Sequence, residues 1–154
     1  MARRITEEQL TKVVLNWLED NAWKIICFDF PQSGTGVVLH PNKRESTNKN
    51  KGSIIPDIVA IKNEVVLFFE NKDRFFLADY EKISKLRDTD LYANSINSLL
   101  VDFKFTHIFY GVGIYFSEIN EVNDAENWDK IDFSIMVEDN ENILIKYDPY
   151  HIFL

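Results

Sequence analysis

Two apolar runs of strand composition, separated by a short polar step, constrain this chain more than any other feature. The first run, residues 56–61, carries Asp57 near its start, and the second, residues 65–70, ends at Glu70, with Lys72 two positions further on. The polar step Lys-Asn-Glu between them predicts a β-hairpin. Charged side chains are rarely buried unless a partner compensates them. We therefore expect the end of this hairpin to carry a functional site.

The geometry of such a hairpin brings its charged residues together. With a two-residue turn, Asp57 lies opposite Glu70, so both carboxylates project to one face with Cβ atoms about 5 Å apart. Lys72 shares that face roughly 7 Å along the strand, whereas Asn71 points to the other face. Two carboxylates this close repel each other unless a cation lies between them. An oxygen-only site with few protein ligands suits Mg²⁺, with Mn²⁺ as the alternative.

The lysine indicates which reaction this arrangement suits. A lysine beside a metal can orient or deprotonate a water molecule and can offset negative charge on a phosphate. The metal can lower the pKa of a bound water and neutralise charge that develops on phosphorus. The residues Asp57, Glu70 and Lys72 therefore suit hydrolysis of a phosphodiester bond.

The pattern outside the hairpin indicates helices and further strands. Thr6 and Gln9 have the spacing of a capping box at the start of a helix, whose apolar residues follow at a spacing of three and four. The other expected segments are a strand at 23–30, a turn-rich loop at 31–36, a basic loop at 40–53, helices within 78–103 that break near 88–90, a strand at 106–116, an acidic loop at 120–130, and a closing hairpin of strands 133–137 and 143–147. This order predicts a layered α/β or α+β domain.

Length and composition favour a single domain. The chain has 154 residues, of which 45% are apolar, and this is enough for one hydrophobic core. With one cysteine, Cys27, and no apolar run long enough to span a bilayer, it is expected to be cytoplasmic, without a membrane partner. No nucleotide cofactor is expected, because the sequence lacks a phosphate-binding loop of the Gly-Lys-Ser/Thr kind.

The net charge of −8 is unevenly distributed along the chain. Residues 114–154 hold ten Asp/Glu against two Lys/Arg, whereas residues 1–113 hold fifteen of each. The acidity therefore belongs to the C-terminal part. Since local patches matter more than the sum for binding a polyanion, the net charge does not exclude a nucleic-acid partner.

At the hairpin the chain resembles a known family. Pro56-Asp57, a spacer, and Glu70-Asn71-Lys72 at the end of an apolar strand are similar to the active-site signature of the PD-(D/E)xK nucleases, which include restriction endonucleases, archaeal Holliday-junction resolvases and repair nucleases. The preceding helix, strand and Ser-Gly loop follow the resolvase-like order, so the resemblance covers about residues 5–75. It implies a restriction-endonuclease-like core, with a mixed central β-sheet flanked by helices. It also implies that Asp57 and Glu70 ligate the metal and that Lys72 assists the attacking water.

The resemblance assigns roles outside the hairpin as well. Glu7, on the inward face of the first helix, matches a helical glutamate that supplements the metal site, and Glu8 is the alternative residue for this role. The other explanation of Glu7 is an ordinary acid in the first turn of a helix, where the helix dipole favours it. Ser33, with Gln32 beside it, matches a loop serine near the scissile phosphate, although an ordinary turn serine fits equally. The basic loop is expected to contact the DNA backbone or a groove. The alternative is that its basic residues only make an exposed loop soluble. These residues are Lys43, Arg44, Lys49 and Lys51.

These inferences lead to one main expectation about function. The chain is expected to be a metal-dependent DNA endonuclease, a small type II restriction enzyme whose symmetric homodimer cuts both strands of a specific duplex sequence. A structure-selective junction resolvase or repair nuclease is the first alternative, and a non-catalytic DNA-binding subunit with the same fold is the second. In this single domain, residues 1–78 would form the catalytic core. Residues 79–154 would form the helices and C-terminal strands of a dimer or DNA-recognition part.

Overall fold

A computed structural model describes residues 5–29, 36–42, 52–139 and 142–153 of the chain. Over these ranges none of the helices is long and apolar enough to cross a membrane. The elements are α1 (Glu7–Asp20), β1 (Lys24–Phe28), β2 (Ile58–Lys62), β3 (Val65–Lys72), α2 (Leu77–Asp88), α3 (Ala93–Leu99), β4 (His107–Tyr115), α4 (Glu118–Ala125), a 3₁₀ turn (Trp128–Lys130), β5 (Phe133–Val137) and β6 (Ile143–Tyr147).

The six strands form one mixed β-sheet in the order β1-β2-β3-β4-β5-β6. The central pairs β3–β4 and β4–β5 are parallel, and the outer pairs are antiparallel. The hairpin β2–β3 has the predicted register, with Ile58 opposite Phe69 and Lys62 opposite Val65. Its turn residues, Asn63 and Glu64, have φ values of 50° and 67°, the left-handed conformation of a type I′ turn. The expected mixed α/β architecture with a mixed sheet is confirmed.

Helices cover both faces of this sheet, and the alternation along β3 shows how. Val66 and Phe68 lie in the apolar cluster that contains the buried residues of α2 and α3. Leu67 and Phe69 lie in the cluster that contains the buried face of α1. Successive side chains of a strand point to opposite faces, so β3 is buried on both sides, as expected for a strand at the centre of a three-layer structure.

The start of α1 is fixed by the predicted capping box. The Gln9 N–H donates to the Thr6 hydroxyl at 3.1 Å, and the Thr6 N–H donates to the Gln9 side-chain carbonyl at 2.9 Å. These bonds satisfy backbone donors that a helix N-terminus leaves open. They also fix Glu7 in the first turn, where its side chain reaches the end of β3.

The prediction of an acidic loop at 120–130 is wrong, because this segment forms most of α4 and the 3₁₀ turn. The Ser117 hydroxyl caps α4 by accepting the Asn120 N–H at 3.1 Å. The acidic composition suggested a solvated segment, but Asn120 and Asp124, four residues apart, are buried on one helical face. The Asp124 carboxylate accepts hydrogen bonds from three side chains, those of Tyr80, Trp128 and Ser134.

Candidate active site

The carboxyl groups of Asp57 and Glu70 meet at the end of the hairpin, as its register requires. The Asp57 N–H donates to the Phe69 carbonyl at 3.0 Å, which continues the pairing beyond β2. Its Oδ2 accepts the Asn71 N–H at 2.7 Å, so the side chain is held against the end of β3. Asp57 is 9% and Glu70 4% exposed, and the two carboxyl groups interact directly. The hairpin therefore buries two acids side by side.

Burial makes both carboxyl groups of this pair hard to ionise. Burial raises the pKa of Asp57 from 3.8 to about 6 and the Glu7 carboxylate contributes to the rise, against the opposing effects of the hydrogen bonds from the Asn71 N–H and the Glu70 side chain. Burial also raises the pKa of Glu70 well above its ordinary value, followed by repulsion from Asp57, while Lys82 acts in the opposite direction. A shared proton or a bound cation would relieve this repulsion.

Lys72 lies beside the pair and is held by α1. Its Nζ is 3.4 Å from Glu7 Oε1. The side-chain amide of the preceding Asn71 also contacts α1, because it donates to the Thr11 hydroxyl at 3.4 Å. Partial burial lowers the pKa of Lys72, but the negative charges of Glu7 and Asp79 outweigh this and raise it. Lys72 is therefore an ammonium group at neutral pH and serves as a hydrogen-bond donor.

Of the two candidate acids on α1, Glu7 is the one that reaches this region. Glu8 pairs with Lys12 at 3.4 Å, in an exposed i,i+4 contact in which its own side chain is 45% accessible. Glu7 is oriented toward Lys72 and close enough to raise the pKa of Asp57. Its position agrees with the expected supplementary acid, and its role as a metal ligand stays a prediction.

Helix α2 adds two charged residues that the sequence reasoning missed. Lys82 Nζ is 3.2 Å from Glu70 Oε1. Asp79 is 8% exposed, and its Oδ2 has no hydrogen-bond partner among the described residues. A signal was present in the sequence, because Asp79 precedes Ile83 and Leu86 at the i, i+4, i+7 spacing of one buried helical face. An acid on such a face is rare without a compensating group.

The predicted DNA contacts cannot be placed in this geometry. They lie outside the described residues, so they stay predictions for Gln32, Ser33, Lys43, Arg44, Lys49 and Lys51.

The donor set fits a hard, hydrated cation. Within the described ranges no group of three or more His, Cys, Asp or Glu side chains is arranged to hold a metal ion. The set therefore consists of the Asp57 and Glu70 carboxylates. Such a set does not suit a structural Zn²⁺, which takes four protein ligands, but it suits Mg²⁺, which keeps several waters and binds through one or two carboxylates. The repulsion within the pair is the structural reason to expect a cation there.

Comparison with known proteins does not identify a relative. No family model, no curated protein and no solved structure matches the chain. A functional assignment therefore depends on the site itself.

Proposed function

We propose that this protein is a metal-dependent DNA endonuclease of the PD-(D/E)xK type. The observation that carries the proposal is the meeting of Asp57 and Glu70 at the end of one hairpin, with the Lys72–Glu7 ion pair beside them. This combination of two buried carboxylates and a lysine suits the hydrolysis of a phosphodiester, in which negative charge must be bound and neutralised.

The residues divide the work in the following way. Asp57 and Glu70 would hold Mg²⁺, which when bound supplies a Lewis acid and a water of lowered pKa. The Asn71 N–H fixes the orientation of the Asp57 carboxylate, so the ligand geometry is formed before the cation arrives. The Lys72 ammonium donates to a phosphate oxygen or to the attacking water and offsets the charge of the phosphate. Glu7 positions Lys72 and maintains its positive charge.

The preferred substrate class is duplex DNA with a specific sequence, cut by a homodimer as in type II restriction enzymes. The described part of the chain contains one such constellation, and cutting both strands requires two. The acidic C-terminal part weighs against a protein that coats DNA without selectivity, because backbone contacts depend on positive charge. A junction resolvase shares the chemistry and is distinguished by its substrate.

The test is cleavage of plasmid, linear duplex and four-way junction DNA in Mg²⁺ or Mn²⁺, each with an EDTA control. We expect discrete, metal-dependent fragments from duplex DNA, and preferential cutting of the junction would assign the resolvase activity instead. Lys72→Ala should reduce the rate at least about a hundredfold. Lys12→Ala, which removes an exposed lysine of α1, should not. If no DNA is cut in either metal, or if Lys72→Ala cuts at the wild-type rate, the proposal is wrong.

A further inference from the structure

Lys82 of α2 is the ion-pair partner of the buried Glu70 carboxylate. Its Nζ forms an ion pair with Glu70 Oε1 at 3.2 Å, and the Glu70 side chain is 4% accessible. The Lys82 side chain itself is 33% accessible. A buried carboxylate is thus neutralised by an ammonium group on a flexible stem that reaches it from the solvent side. Such a partner can leave without moving the backbone.

A second position for this ammonium group exists one turn earlier on the same helix. Asp79 and Lys82 are three residues apart, so their side chains are neighbours on the surface of α2. Asp79 Oδ2 is buried and without a hydrogen-bond partner among the described residues. Asp79 lines a small cavity of about 10 Å³ together with Glu70 and Lys72. A buried carboxylate oxygen without a hydrogen bond is costly. Lys72 and, after it, Lys82 are close enough for their charges to act on Asp79.

The charged side chains that interact with one another around Glu70 carry an excess of negative charge. The residues joined by ion pairs or charge–charge interactions are four acids and two lysines, namely Glu7, Asp57, Glu70, Asp79, Lys72 and Lys82. When all are ionised their sum is −2. Arg74 also lines the cavity, with its guanidinium over the Phe76 ring, 4.7 Å from the centroid, and its charge reduces the excess to −1.

We propose that Lys82 is a displaceable counter-cation, which neutralises Glu70 in the metal-free protein and moves to Asp79 when a divalent cation binds between Asp57 and Glu70. This inference rests on the proposed metal site. It assigns Lys82 and Asp79 as positioning residues that set the affinity for the metal. The exchange leaves both Glu70 and Asp79 with a cationic partner, so neither buried carboxylate is uncompensated in the loaded state.

The test is calorimetric titration of the full chain with Mn²⁺ in the absence of DNA, at about 0.15 M salt so that distant charges are screened. Lys82→Gln removes the competing ammonium group and should tighten Mn²⁺ binding about tenfold. Lys82→Arg keeps the charge and should not tighten it. Lys85→Gln is the matched control, because it makes the same charge change on the same helix, at a lysine near the Tyr92 ring. It should alter the affinity less than twofold.

A double-mutant cycle separates displacement from simple electrostatics. Asp79→Asn should weaken Mn²⁺ binding in the wild-type background, because Lys82 loses its second partner. In the Lys82→Gln background the same change should have a clearly smaller effect, and the difference measures the coupling. If the two effects are equal, or if Lys82→Gln binds Mn²⁺ no more tightly than wild type, the displacement is wrong while the metal site stands. If neither the wild type nor any variant binds Mn²⁺ or Mg²⁺, the proposed function falls together with it.

Discussion

Asp57→Asn is expected to stabilise the metal-free protein at neutral pH. The pKa of Asp57 is raised from 3.8 to about 6, chiefly by burial. A difference of about 2.2 units corresponds to ~3 kcal/mol that folding loses when this carboxyl is ionised, at about 1.36 kcal/mol per unit. Asparagine keeps an oxygen for the Asn71 N–H, now as a weaker neutral acceptor, and offers Glu70 a donor in place of a negative charge. We therefore expect a net gain of ~2 kcal/mol, or roughly 4–8 °C in Tm.

The sign of the pH dependence follows from the direction of this shift. Below about pH 4 Asp57 is protonated in both the folded and the unfolded chain, so the substitution relieves no charge. Between about pH 4 and 6 the unfolded chain releases the proton while the folded chain keeps it, so the wild type loses stability as the pH rises. Above pH 6 this loss is complete. The advantage of Asp57→Asn should therefore grow from pH 4 to 6 and then level off.

The assay is urea unfolding in EDTA between pH 4 and 8, with Asp124→Asn as the matched control. Asp124 is also a buried acid, but its carboxylate accepts hydrogen bonds from Tyr80, Trp128 and Ser134, at 2.5, 2.9 and 2.7 Å. The amide that replaces it would turn a donor toward one of these donors, so this variant should lose about 2 kcal/mol or more. If Asp57→Asn is also destabilised at pH 8, by an amount similar to Asp124→Asn, then the ionised Asp57 carboxyl does not oppose folding and the reasoning is refuted.

Two further predictions concern the metal and the sheet. In thermal scans, Mg²⁺ at about one hundred times its Kd should stabilise the wild type by ~2.7 kcal/mol. Asp57→Asn lacks an anionic ligand and should gain less than half of this. An equal gain would mean that the cation binds elsewhere. Gly111→Ala should lower the free energy of unfolding, measured in urea, by about 3 kcal/mol. The reason is that a Cβ there would lie 2.4 Å from the Phe133 carbonyl oxygen and 2.5 Å from the Phe133 ring. An unchanged midpoint would mean that β4 and β5 can move apart without a loss of stability.

The hairpin could be predicted from sequence because all its determinants are local. The two apolar runs and a two-residue turn fix the register, and the register alone places Asp57 beside Glu70. The capping box likewise fixes the start of α1 and the position of Glu7. In each case the local geometry is known, so the distance between two side chains can be predicted from their spacing in the sequence.

The contribution of α2 could not be predicted, because it depends on how a helix packs on the sheet. The apolar spacing identified the helix, and the break near residues 88–90 was confirmed. Neither indicates that the first turns of α2 cover the end of β3, where Lys82 meets Glu70. The α4 segment was missed for a related reason. An acidic composition predicts solvent exposure, and the sequence does not show that the side chains of Tyr80, Trp128 and Ser134 all donate to Asp124.

Two kinds of buried acid coexist in this chain, and the difference between them is the reason to propose a site at the end of the hairpin. Asp124 is fully buried, and three donors satisfy its carboxylate, so its burial serves the packing of α2, α4 and β5. Asp57 and Glu70 are nearly as buried, yet each faces another negative charge. Because folding tolerates such repulsion only where other interactions compensate for it, a buried acid pair that opposes stability is better evidence of function than burial or acidity alone. The opposite signs expected for Asp57→Asn and Asp124→Asn test this distinction within one protein.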